Sequence, residues 1–329
     1  MNTLPAISIL IPVYNVEPYV ARCVKSVMAQ TYAGDIECIV VDDCGTDKSM
    51  VIVEKLLADY RGSIDFHILR HTHNRGLAAA RNTAVDASRG TFVVHIDSDD
   101  WIEPVMIENL VARQLETKAD IVSCNGIAHF AERDILLEEP SYSSKEEMMR
   151  SIFKLTLNHV IWRRLIRTSL YKDNAIMAYE GHNIGEDHYT LPRLLFFAKS
   201  FATCKEVLYH YNCLNEKSYL QSHQALFNFR KYRDDRDAID ILLAFFTQYD
   251  DSYIDDLYRE KAMLVYKSFS PAIQTHNREA YEQLCSDWKS IDKRYKHISA
   301  LQNFMLTFSY DLSWLFISAR KCIRRIKCW

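Results

Sequence analysis

Through its first 125 or so residues the chain alternates between short apolar runs and amphipathic stretches, and this alternation limits the possible folds more than any other feature. Ile7–Val13 reads as a strand, and an amphipathic helix follows from about Pro18 with Val20, Val24 and Val27 on one face. A proline near a helix start is cheap, because the N–H it lacks has no partner there. Residues 37–42 are apolar between two acids and predict a second buried strand; the helix after it, from about Thr46, carries Val51, Ile52, Leu56 and Leu57. The series continues with a strand at 65–69, a helix at 76–87, a strand at 91–96, a helix at 104–116 and a strand at 120–124. Strands joined through helices by short connections lie parallel, with right-handed crossovers and helices on both faces. The predicted class is α/β, with a mostly parallel, Rossmann-like sheet flanked by helices.

Beyond about Asn125 the pattern loosens. Residues 132–144 are polar, 161–171 are mixed, a helix opens at Glu186 and runs through Leu195 and Phe197, and 200–211 look extended. From His223 onward only helices are expected, at 227–249, 253–269 and 278–291. A chain of 329 residues is long enough for one large core and an extension. The expected domains are 1–220, divided into halves at 1–125 and 126–220, and a helical extension at 221–329.

A net charge of −3 excludes a globally basic nucleic-acid binder. The nine cysteines form no CxxC pair, and several fall inside apolar elements, so reduced, buried thiols in a cytoplasmic protein are expected. The N-terminus has no basic region followed by a long apolar run, so no signal peptide is expected. No stretch has the roughly 20 apolar residues needed to span a bilayer. The nearest, 300–319, is interrupted by Gln302, Asn303 and Asp311.

The strand at 91–96 ends in Asp97-Ser98-Asp99-Asp100-Trp101, three acids within four positions. Carboxylates crowded at the end of a buried strand repel one another and need a partner. In an α/β sheet, ligands bind at that end, and a divalent cation held by one or two carboxylates plus substrate phosphates satisfies the charge. The competing reading is a solvated turn in which Asp99 or Asp100 caps the next helix. Asp42-Asp43 ends another buried strand, and a carboxylate there can accept a ribose hydroxyl or the ring N–H of uracil. Equally, Thr46 or Asp47 can simply cap the helix beyond. Pro12-Val13-Tyr14-Asn15 is a turn in which Tyr14 can stack on a base. Gly76 and the small residues after it open a helix whose Arg81 either reaches a phosphate or makes a structural ion pair. Glu186 and Asp187 begin a late helix, where acids also complement the helix dipole. Neither GxGxxG nor a P-loop is present.

In order and spacing, SILIPVYN (8–15), VDDCGTDKS (41–49), NRGLAAARN (74–82), HIDSDDW (95–101) and GED (185–187) resemble the family 2 glycosyltransferases, inverting enzymes of the GT-A fold. The resemblance extends to about residue 200. One departure is visible: the family's Gly-Ser-Thr-Asp turn is here Cys44-Gly45-Thr46-Asp47. The resemblance implies Mn²⁺ or Mg²⁺ at Asp99 with Asp97, and a UDP-sugar donor. Pro12, Tyr14, Asn15, Glu17, Asp42 and Asp43 would lie around the nucleotide, with Gly76, Arg81, Asp97 and Ser98 beside it. Asp187, next to Glu186, would be the general base, and Trp101 and Asp100 would face the acceptor. The acceptor would be a saccharide or lipid-linked saccharide in cell-surface polysaccharide synthesis.

After Asp311 there are no acids, and Arg320, Lys321, Arg324, Arg325 and Lys327 follow a stretch rich in Phe, Leu and Trp. Residues 301–329 therefore read as an amphipathic helix on an anionic membrane, which would place the protein peripherally on the inner face of the cytoplasmic membrane. A helix docked on the core is the other reading. The rival functions are a nucleotidyltransferase, which would want a Gly-rich basic loop after the first strand, and a nucleotide-sugar-binding scaffold without turnover.

Overall fold

Seven consecutive buried residues form strand β1 (Ile7–Val13), and a strand buried on both faces needs cover on both. The structure is a computed structural model that describes residues 4–142, 144–153, 159–182, 184–215, 228–296 and 310–311. Helix α1 (Val20–Met28) turns Val20, Cys23, Val24 and Val27 inward, the three- and four-residue spacing of one helical face. Strand β2 (Ile36–Asp42) pairs parallel with β1, bringing Val13 opposite Asp42. Helix α2 (Ser49–Asp59) leads to strand β3 (Asp65–Arg70), parallel to β2. Helix α3 (Leu77–Ala87) leads to strand β4 (Phe92–His95), parallel to β1 on its other side. Strand β5 (Trp101–Ile102), helix α4 (Met106–Thr117) and strand β6 (Ile121–His129) follow.

The next stretch contains strand β7 (Asp134–Leu137), helix α5 (Lys145–Phe153), strand β8 (Arg164–Arg167) and helix α6 (Thr168–Lys172). Helix α7 (Glu186–Phe197) and strand β9 (Phe201–Asn212) complete the sheet, whose order is β3-β2-β1-β4-β8-β6-β9-β5, with β7 on β6. Six strands run in one direction. Strand β8 lies antiparallel between β4 and β6, while β7 and β5 are antiparallel to β6 and β9. The chain thus keeps the parallel direction predicted for β1, β2, β3, β4 and β6, but β4 and β6 are not neighbours. Strand β6 also runs five residues beyond the predicted end at 124. Because β1, β2 and β4 are parallel, their C-terminal ends open on one edge, where the acid-bearing turns begin.

The chain divides into two compact units, Met1–Gln221 and Ser222–Trp329. The second unit holds helices α8 (Phe229–Tyr249), α9 (Ile254–Gln274) and α10 (Arg278–Ser290), packed through Tyr232, Val265, Phe269, Leu284 and Trp288. Asn228 and Asn277 cap α8 and α10, accepting the N–H of Lys231 at 3.0 Å and of Ala280 at 2.9 Å. Among the described residues no helix is long and apolar enough to cross a membrane. The amphipathic stretch at 301–329 lies outside the described residues apart from Tyr310 and Asp311.

Candidate active site

The turn after β4 splits its residues by face. Asp97 and Asp99 are half-buried, whereas Ser98 and Asp100 are buried, at 6% and 0% exposure. Asp100 accepts the Tyr209 hydroxyl at 2.6 Å and the Asn212 N–H at 2.7 Å. Burial, followed by the charges of Asp99 and Asp97, holds its carboxyl well above the usual carboxylate range. Asp100 therefore does not face an acceptor as expected; it fastens the turn to β9. Ser98 is likewise enclosed rather than presented to a nucleotide. Asp99 accepts the side-chain N–H of Asn215 at 2.8 Å, and its acid is pushed up to about 6, first by burial and then by the negative charge of Asp97. A cation between Asp97 and Asp99 would relieve that repulsion. Among the described residues no group of three or more His, Cys, Asp or Glu side chains could hold a metal. The donor set thus suits an ion that takes its remaining ligands from phosphates and water.

Arg81 is held among acids. Its side chain is 4% exposed, and it donates through Nη2 to Asp97 at 2.7 Å and through Nη1 to Asp187 at 2.6 Å and to Glu186. Three acids engage this guanidinium in a structural ion-pair network, and its Nε–H has no partner among the described residues. Burial pushes the acid of Glu186 up to about 8, against the pull of Arg81. Asp187 is also raised, first by burial. The guanidinium thus bridges Asp97 from the β4 turn and Asp187 from the start of α7. The other oxygen of Asp187 accepts the Ile161 N–H at 3.3 Å.

The adjacent acids after β2 also part company. Asp43 is 2% exposed, and its carboxylate accepts from Arg75 N at 2.9 Å, Gly76 N at 2.8 Å and Asn74 Nδ2 at 3.1 Å, with His71 Nδ1 at 2.6 Å. Those partners use its acceptor positions, so Asp43 organises the 71–76 loop instead of contacting a nucleotide. Gly76 reaches the carboxylate with φ +89°, a conformation natural to glycine. Asp42 is half-buried and accepts the Cys44 N–H at 3.0 Å, and it is the acid left at the edge. Asn15 (φ +51°) accepts the N–H of Thr46 at 2.7 Å and of Asp47 at 3.3 Å, and Glu17 accepts the Lys48 N–H at 3.1 Å. These bonds delay the start of α2 from the expected Thr46 to Ser49. A Cβ on Gly45 would stand 3.1 Å from the backbone N and Oδ1 of Asn15. Tyr14 is 41% exposed, whereas Pro12 is buried in β1 opposite Val41.

Trp101 is a further correction. The Arg22 guanidinium lies 3.0 Å from its ring centroid, and the imidazoles of His129 and His210 stack on it at 4.7 and 5.0 Å. With a guanidinium that close to one face, the two imidazoles take the other. Trp101 accordingly offers no free face to an acceptor sugar. Asn215, Tyr209 and Asn212 join the acidic turn without having been anticipated. They lie more than 100 residues away in sequence, and no local pattern couples β9 to β4. Cys44 is exposed, unlike the buried Cys23, Cys38, Cys124, Cys204 and Cys213.

The family model described as glycosyl transferase family 2 matches residues 8–179. EpsH of Bacillus subtilis is 33% identical over 228 residues, which are 67% of this chain and 64% of EpsH, so the match spans slightly under two thirds of that relative. The crystal structure of residues 1–349 of Staphylococcus aureus TarS in complex with UDP-GlcNAc superposes with a TM-score of 0.70 at 20% identity, covering 97% of this chain and 92% of that one. The mannosyltransferase PcManGT of Pyrobaculum calidifontis, solved with GDP-Man and Mn²⁺, gives a TM-score of 0.54 at 16% identity over 97% of this chain and 87% of that one.

Proposed function

Because the chain belongs to glycosyl transferase family 2, we propose that it is an inverting glycosyltransferase that moves a sugar from a UDP-sugar to a saccharide or lipid-linked saccharide hydroxyl. One observation carries this reading above the others: a single buried guanidinium, Arg81, joins Asp97 of the β4 turn to Asp187 of α7. Inverting transfer needs a charge-neutralising centre behind the leaving diphosphate and a carboxylate on the opposite side of the anomeric carbon. The guanidinium links candidates for those two duties and fixes their separation.

Asp99, with Asp97, would hold Mn²⁺ or Mg²⁺, which when bound offsets the negative charge that builds on the departing UDP. Asp187 takes the proton of the acceptor hydroxyl as that oxygen attacks. Arg81 pulls it toward the ionised form against burial, and the Ile161 N–H orients it. Glu186 keeps its own proton and so does not compete. Asp42 and Tyr14 remain at the sheet edge to contact ribose and base. The TarS complex supports UDP as the nucleotide, and the PcManGT complex supports Mn²⁺. An acceptor at the inner face of the cytoplasmic membrane is part of this proposal, through residues 301–329.

The test is a hydrolysis and transfer screen over UDP-sugars with Mn²⁺, comparing wild type with Asp99→Ala and Asp187→Asn. The expected result is turnover in the wild type and a loss of about 10²–10⁴-fold in Asp187→Asn with UDP affinity retained. Asp99→Ala should lose both turnover and metal-dependent UDP binding. A wild type that binds no UDP in the presence of metal would end this reading. Binding without turnover for any donor and acceptor would favour a scaffold.

A further inference from the structure

Four titratable side chains outside the transfer chemistry form one continuous line where β5, β6, β7 and β9 meet. His129 Nδ1 lies 2.9 Å from Asp134 Oδ1, His129 Nε2 lies 3.0 Å from His210 Nδ1, and His210 Nε2 lies 2.7 Å from Glu103 Oε1. Each contact needs one proton between its two heavy atoms. Two neutral imidazoles carry two N–H protons, enough for only two of the three contacts. The remaining contact would then set a bare imidazole lone pair against a carboxylate oxygen or against the other ring. Three protons on the four ring nitrogens satisfy the whole line, leaving one imidazole and one imidazolium that share the central proton.

The same two rings lie 17° from parallel to each other and stack on Trp101, with interplanar angles of 22° for His129 and 7° for His210. Arg22 gives Trp101 one cation–π contact, and a protonated pair stacked on the indole would add a second. Trp101 pairs in register with His210, and the neighbouring Tyr209 accepts the Asp97 N–H at 3.2 Å and donates to Asp100. The charged groups that face the array are Asp134 on β7, Glu103 beyond β5, and Arg22 on α1 across the indole.

We propose that His129 and His210 form a proton-sharing pair that positions Trp101 and, through it, the acidic turn at 97–100. Both are positioning residues, since neither reaches Asp97 or Asp99 directly. The functional consequence rests on reading that turn as the site of metal and UDP.

Two measurements on the full chain test the proposal. In ¹⁵N NMR of the histidine rings, assigned with His129→Gln and His210→Gln, three of the pair's four nitrogens are expected to carry protons. Two would overturn the proposal. Calorimetry of UDP with Mn²⁺ should show Kd raised about fivefold in each single variant and no further in the double variant, because loss of either ring ends the sharing. Unchanged affinity in both single variants, or effects that multiply in the double, would also overturn it. Melting temperatures check that the variants fold. If a histidine variant does not, Glu103→Gln replaces it: glutamine can donate to the bare nitrogen, so the count should fall to two. If the wild type binds no UDP, the donor reading fails, and the proton count alone decides the pair.

Discussion

Cys44 adopts φ +59° on the exposed turn after β2, a left-handed conformation that a side chain resists. The glycine beside it, Gly45, stands where a Cβ would crowd Asn15. The turn thus needs two small or permissive residues and has one. Cys44→Gly should raise stability by about 0.5 kcal/mol, the relief of strain less the extra entropy of an unfolded glycine, as read by urea denaturation. A loss of stability would show that the thiol makes a contact worth more than the strain. The adjacent acids predict a crossed pattern. Asp43→Asn should cost about 2–3 kcal/mol, because it removes acceptors from buried N–H donors. Asp42→Asn should cost less than about 0.5 kcal/mol while weakening UDP binding roughly tenfold. The reverse pattern would undo the division of roles. The acids themselves were plain in the sequence, since they interrupt apolar strands. Which of each pair faces outward was not, because Asp100 is drawn in by Tyr209 and Asn212, and Asp43 by loop N–H groups that gather only after folding.

Helix α3 does two jobs with neighbouring residues. Ala78, Ala79 and Ala80 are buried, letting the helix pack closely beside β1 and β2, and Arg81 follows on the next position toward α7. The small residues and the helix were legible as a run, as were α7 and β9 from their periodicity. The partner of Arg81 was not, since Asp187 lies 106 residues away in sequence. Strand β8 escaped notice for a different reason: in Arg-Leu-Ile-Arg the apolar pair sits between arginines, and Arg164 is buried through bonds to Ser123 and Glu139 that no pattern announces. The clamp makes a prediction that separates it from phosphate binding. Arg81→Lys keeps the charge but cannot span three carboxylates, so turnover should fall by about 10²-fold or more while UDP affinity changes less than about tenfold. Collapse of UDP affinity with turnover preserved at saturation would restore Arg81 to the phosphates.

Taken as a whole, the chain buries titratable groups that pull its stability in opposite directions with pH. Burial raises Glu186 and Glu260 to about 8 and Asp99 to about 6, so the folded state holds protons that the unfolded chain releases. Such acids stabilise below their unfolded values and lose that contribution as pH rises through the folded ones. His95 and His159 are held well below the usual histidine range, chiefly by burial, so they favour the folded state when neutral and oppose it once the pH falls below 6.5. Above pH about 6.5 only the acids still act, giving a limb on which stability falls as pH rises; below it the histidines add an opposing limb. Glu260 tests the alkaline limb without touching the candidate site. It lies on α9, its Oε2 has no hydrogen-bond partner among the described residues, and Asp235 adds a like charge to the effect of burial. Glu260→Gln keeps the shape and removes the ionisation. It should raise stability on the order of 3 kcal/mol at pH about 9 and leave it nearly unchanged at pH about 4, where both states of the wild type are protonated. Scanning calorimetry of the full chain across that range measures both limbs, and an equal gain at both ends would mean that the substitution acts through packing instead of through the proton.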